Sequence, residues 1–115
     1  MRKAWRLTRG AEASLAEIAA WTIETFGPRQ AATYEEDLIA ACNGIAAGSA
    51  MSYDCRRLVD GAAGENLRFV RAGQHFVIYL DQEDQIIVID FLHVRSDLPR
   101  RLADLTARKQ RGESK

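Results

Sequence analysis

The chain reads as an α+β domain in the order β-α-α-β-β-β: a helix hairpin packed on an antiparallel sheet, followed by a short C-terminal helix. Three observations predict this. Two amphipathic helical stripes are separated only by Gly27-Pro28. Three strand-like runs then crowd between Leu67 and Val94. The last of them, from Gln85 to Val94, is apolar on both faces except at Asp90, as expected of a strand flanked by strands and covered by the helices.

The elements follow in order. Lys3 to Thr8 alternate, with Ala4, Arg6 and Thr8 on one face and Trp5 and Leu7 on the other, which suits a short strand. Thr8 is placed to cap a helix, its hydroxyl accepting from the first free amides. Leu15, Ile18, Thr22 and Phe26 form one apolar stripe, with Glu12, Glu17 and Glu24 outside it. Gly27 supplies the turn that ends this helix, and Pro28 starts the next where its missing N–H costs nothing. Ala31, Tyr34, Leu38, Ala41, Ile45 and Gly48 make the second seam, and Ala41, Gly44 and Gly48 leave room for close helix approach. From Ser49 to Gly64 the periodicity fails and a partly packed connection is expected.

Leu67, Phe69 and Arg71 share one face of the next strand, and a tight turn around Gly73 leads back. Phe76, Ile78 and Leu80 then oppose His75, Val77 and Tyr79. Asp81 to Asp84 turn the chain into the apolar strand. Beyond it Asp97 can cap a helix with Pro99 in its first turn and Leu98, Leu102 and Leu105 along one face. One domain is expected over residues 1–108, and residues 109–115 form a basic tail with too little apolar content to fold.

With 47% hydrophobic and 28% charged residues in 115, the composition is that of an ordinary globular domain. No apolar run reaches transmembrane length and the basic start has no signal-type stretch, so the chain is expected in the cytoplasm, away from membranes. The formal net charge of zero argues against binding nucleic acid by bulk electrostatics. The charge is uneven, however: the first nine residues carry Arg2, Lys3, Arg6 and Arg9, the middle is acidic, and the end from Arg95 is basic. Cys42 and Cys55 have neither metal-site nor nucleophile spacing, the two histidines are not spaced as ligands, and no phosphate-binding or serine-hydrolase motif occurs. No cofactor and no metal are expected. A carboxylate such as Asp90 in an apolar strand is ordinarily held by an arginine.

Chemistry concentrates at the end of the apolar strand. By the period of two, Ile87, Ile89, Phe91, His93 and Arg95 share a face, and Arg71 with His75 or Tyr79 can come near. Such a cluster can bind phosphate, or cleave RNA with His93 as acid or base and Arg71 and Arg95 stabilising the phosphorane. It can equally be a half-buried histidine beside ordinary rim charges.

The helix junction TFGPRQAATYEEDL (Thr25 to Leu38), the strand QHFVIYL (Gln74 to Leu80) and the ending FLHVRSDLPRRL (Phe91 to Leu102) resemble the ParE toxins of the RelE/ParE superfamily, over nearly the whole chain. The sequence departs from that family's usual pattern in having Leu80-Asp81 after the strand tyrosine and no proline between Gly48 and Arg57. The resemblance implies a toxin of a type II toxin–antitoxin system that inhibits DNA gyrase, and thereby replication and growth, without enzymatic chemistry. It implies neutralisation by a ParD-type ribbon-helix-helix antitoxin in a hetero-oligomer that meets DNA only through the antitoxin. On that reading Arg71, His93, Arg95, Arg100 and Arg101 form the target-binding surface, and exposed apolar residues, with Trp5, Trp21 and Tyr34 as candidates, are covered by the antitoxin. The alternative is a RelE-type ribosome-dependent mRNA endonuclease with Arg71, His93 and Arg95 as its catalytic set. Against it stand the neutral charge, the absence of lysine between Lys3 and Lys109, and a last tyrosine at Tyr79. A toxin-like chain that has lost toxicity and survives in a repressor complex is the third possibility.

Overall fold

The computed structural model of the chain describes residues 3–49, 52–54, 67–96 and 100. Its elements are β1 (Ala4–Leu7), α1 (Arg9–Phe26), α2 (Pro28–Ala47), β2 (Tyr53–Asp54), β3 (Leu67–Ala72), β4 (His75–Asp81) and β5 (Gln85–His93). The strands form one sheet in the order β1-β5-β4-β3-β2. The apolar strand β5 is flanked on both sides, as its composition predicts.

Two expectations are corrected here. The sheet is mixed, because β1 runs parallel to β5 while the other pairs are antiparallel. Side-chain alternation carries no information about strand direction, so the sequence pattern is the same for either pairing. The stretch read as an irregular connection contains β2, a two-residue strand paired with β3 and too short to show any period. Ser52 supports it by accepting from Arg68 Nε at 2.8 Å. The proposed C-terminal helix and the tail lie outside the described residues, apart from Arg100, which is helical and exposed.

The helix hairpin forms for local reasons. Thr8 stays extended (φ −74°, ψ 169°) and its hydroxyl accepts the Ala11 N–H at 3.1 Å. Gly27 holds φ 93°, donates to Ile23 O at 2.9 Å, and hands the chain to Pro28 at the first turn of α2. Gly48 adopts the left-handed conformation and caps α2, so it ends the helix instead of extending its seam. Ala11, Leu38, Cys42 and Ile45 face the sheet, where they meet Val70, Val77, Tyr79, Val88 and others in one core cluster. Burial pushes the Cys42 thiol up to about 11, so it acts as a small core hydrophobe; Cys55 lies outside the described residues. Phe26, placed in the α1 stripe by spacing, is exposed, because the hairpin turns away one residue later.

A second apolar cluster occupies the opposite face of the sheet: Leu67, Ile78, Leu80, Ile87, Ile89 and Leu92, with Phe69 and Phe76 against it. The partition between faces depends on a bulge in β5. Tyr79 pairs with Val88 and Ile78 pairs with Asp90, leaving Ile89 as an extra residue. The strict alternation expected from Ile87 to Arg95 therefore breaks. Ile87 and Ile89 belong to the second cluster, whereas Phe91 packs with the helix-side core.

The helix hairpin satisfies the bulge's polar groups. Thr8 Oγ1 donates to Ile89 O at 3.2 Å, and Thr8 N–H donates to Val88 O at 3.0 Å. The Asp90 carboxylate accepts the Ser14 hydroxyl at 2.5 Å and the Phe91 N–H at 2.8 Å. Thr8→Val removes both the cap and the donor to Ile89 at nearly constant volume. The variant should lose about 1–2 kcal/mol, read as a lower urea midpoint with an unchanged denaturant slope.

Candidate functional site

His75 opens β4, His93 closes β5, and the register sets them opposite each other. Their rings meet edge to face, with centroids 5.2 Å apart and planes at 83°. The bulge has brought His93 to the side of the sheet where α2 supplies Tyr34. The phenol oxygen lies 2.5 Å from His75 Nδ1 and accepts the Gln74 N–H at 3.0 Å, which latches α2 to the turn between β3 and β4. Gly73 at that turn holds φ +61°, and a Cβ there would fall 2.6 Å from the Tyr34 ring. Glycine is therefore required twice, for the backbone and for the seat of the tyrosine.

Tyr34 Oη lies 2.5 Å from His75 Nδ1 and also donates to Ala72 O at 3.4 Å, so the direction of its contact with His75 follows the tautomer of that ring. At His93 the partner of Nδ1 is the Arg95 backbone N–H at 3.0 Å, which can only donate. His93 Nδ1 is thus an acceptor, and the ring proton sits on Nε2. Burial, and then the neighbouring His93, push His75 down to about 4, which keeps it neutral. Burial is also the largest influence on Tyr34, whose phenol is raised; Asp37 adds to this, while the Gln74 bond and Arg71 oppose it.

Two clefts meet at Trp21, His75 and His93. One, of about 460 Å³, runs toward Ser14, Glu17 and Ser96. The other, of about 500 Å³, runs between Phe26, Gln30, Tyr34 and Arg95, and no acidic residue lines it among the described residues. Trp21 is 55% exposed and Phe26 62%, their rings edge-on at 5.8 Å, so the cleft has an aromatic wall open to solvent.

The structure brings some of the expected residues together and separates others. His93 and Arg95 share the larger cleft with Trp21 and Tyr34, which the sequence assigned to a different surface. Trp5 lies elsewhere: half-buried on β1, it packs on the helix-side core and donates to Asn43 Oδ1 at 2.9 Å. Tyr34 is half-buried and held by its hydroxyl. Arg71 is exposed beside the hairpin turn, where its Nε donates to Gly73 O at 3.0 Å. Of the two candidate neighbours, His75 is the one that reaches His93, because Tyr79 is buried in the core opposite Val88. Arg100 is exposed, and Arg101 lies outside the described residues. Sequence reasoning missed Phe26 and Gln74 as cleft residues; the position of Phe26 at the last residue before Gly27 was the available signal.

A family model described as ParE toxin of type II toxin-antitoxin system, parDE, matches residues 5–98. A solved structure described as "Chromosomal ParDE TA system from P. aeruginosa" has a TM-score of 0.59 at 13% identity, covering 80% of this chain and 96% of that one. No curated protein sequence matches the chain. The mixed sheet with its two covering helices is thus the fold of a toxin–antitoxin protein, shared in shape with a ParDE structure. The chain belongs to the ParE toxin family of type II toxin–antitoxin systems.

Gly73→Ala should cost roughly 2–4 kcal/mol, since left-handed strain adds to the clash with Tyr34. Gly48→Ala, with the same kind of φ and open space around it, should lose only the strain, about 1 kcal/mol. Denaturant midpoints of the two variants measure the difference. A pH dependence follows from His75. The unfolded chain takes up a proton near pH 6.5, while the folded one resists until about pH 4, so stability falls as pH is lowered through that window. His75→Asn, which keeps a polar partner for Tyr34, should flatten the fall between pH 7 and pH 4.5 by on the order of 2 kcal/mol, read from urea unfolding at each pH.

Proposed function

We propose that this toxin acts by binding DNA gyrase and blocking replication, that it has no enzymatic chemistry of its own, and that a ParD-type antitoxin neutralises it in a hetero-oligomer which meets DNA only through the antitoxin. The observation that carries the non-enzymatic reading is the hydrogen bond at His93. Its Nδ1 lone pair is spent on the Arg95 N–H, so that ring offers the cleft no base. An RNA-cleaving site needs a group that removes the 2′-hydroxyl proton, and His93 as held here is not suited to that role. Arg71, Arg95 and Arg100 are exposed and suit a target-binding surface, to which Arg101 belongs by sequence.

For the antitoxin, the exposed Trp21 beside Phe26 is the better anchor, and Trp5 the poorer one because its indole N–H already has a partner. No helix among the described residues is long and apolar enough to cross a membrane, which fits a protein working on cytoplasmic gyrase.

The test is ATP-dependent supercoiling of relaxed plasmid by purified gyrase. Excess toxin should stop it, a stoichiometric ParD-type antitoxin should restore it, and Arg95→Ala should raise the concentration for half-inhibition roughly tenfold. Supercoiling that continues undisturbed at excess toxin would sink the gyrase assignment, and fragmented message in a translation extract would replace it with the nuclease.

A further inference from the structure

The larger cleft presents donors, and no acid lines it among the described residues. His93 carries its proton on Nε2, and that nitrogen has no partner among the described residues. Among those residues no buried side-chain nitrogen or oxygen is left without a hydrogen bond, so this Nε2–H reaches open space where His93 lines the cleft. Arg95 lines the same cleft, and Glu17 lines only the neighbouring one. Opposite the donors stand the exposed rings of Trp21 and Phe26.

We propose that this cleft is a carboxylate subsite: it takes one Asp or Glu side chain from a partner's peptide segment, with a large apolar side chain of the same segment laid on Trp21 and Phe26. On the function proposed above, that segment belongs to the antitoxin. One imidazole N–H donor and one guanidinium match a singly charged, planar acceptor. Phosphate backbones are ordinarily held by several cations, whereas one guanidinium lines the cleft among the described residues, in a chain of zero net charge. A cleft of about 500 Å³ is within the size range that buries a small ligand, and its aromatic wall favours a residue that is apolar beside the acid.

The experiment has two arms on the full chain. In the first, nitrogen–proton spectra of the imidazoles at pH 7 should show Nδ1 bare and Nε2 protonated in His93; the reverse tautomer there would overturn the subsite. In the second, the protein is titrated with a capped alanine-based peptide of about ten residues carrying a Glu one helical turn from a Leu, and with its Gln counterpart. The Glu peptide should shift the Nε2–H signal of His93 and the emission of Trp21, and should bind at least tenfold tighter than the Gln peptide. His93→Gln and Arg95→Gln should each reduce that preference. These two side chains are partly or fully exposed, so folding is retained and can be checked by the unchanged core signals. Equal binding of the two peptides, or larger shifts at the same groups with inorganic phosphate or a single-stranded oligonucleotide, would overturn the proposal. The titration contains neither gyrase nor antitoxin, so its failure and failure of the supercoiling test are read separately.

Discussion

The extra residue in β5 depends on a small polar knot at the start of α1. Ile89 O and the Asp90 carboxylate are polar groups in the most apolar strand of the protein, where an unmet acceptor costs about 1–3 kcal/mol. Thr8 and Ser14 meet them, and Thr8 simultaneously caps the helix that presents Ser14. The bulge and the helix start therefore stabilise each other. From this knot follows the division of the sheet into two apolar faces, with Ile89 on one and Phe91 on the other. The edge-to-face meeting of His75 and His93 depends on the same shift.

Tyr34 connects the helix layer to the site. It stands on α2, in line with the buried Ala31 and Leu38, but its hydroxyl reaches past the core to the turn between β3 and β4. One side chain thus sets the distance between the helix hairpin and the strand ends, and also holds the His75 ring. Lys3 does the corresponding work at the far end of β5, pairing with Asp81 at 2.7 Å and donating to Gln82 O at 2.8 Å. That pair is partly exposed and adds little stability, but it fixes the turn that feeds β5.

Most of the fold was legible because it is encoded locally. The cap at Thr8, the break at Gly27-Pro28, the turn at Gly73 and the flanked position of β5 each rest on a few adjacent residues. Strand direction and the two-residue β2 were not legible, since neither leaves a periodic trace. The bulge was not legible for a different reason. The run from Ile86 to Leu92 is apolar everywhere but Asp90, so sliding it by one residue moves only that carboxylate and leaves both faces apolar. The candidate site was half-readable on that account: His93 and Arg95 were found, but their meeting with Trp21, Phe26 and Tyr34 requires the shifted register and the hairpin's tilt.

The bulge also makes the orientation of His93 a question of parity. Between Val88, which faces the helices, and His93 stand an even number of residues, where a regular strand would need an odd number to keep both on one side. Deleting one of the intervening residues would leave three, and a regular strand of that length keeps Val88 and the imidazole on the helix side with no bulge at all. Keeping all four and flattening the bulge would instead turn the imidazole to the side of Ile87 and Ile89. A relative one residue shorter in this strand would thus need no bulge to place the same histidine beside the helices.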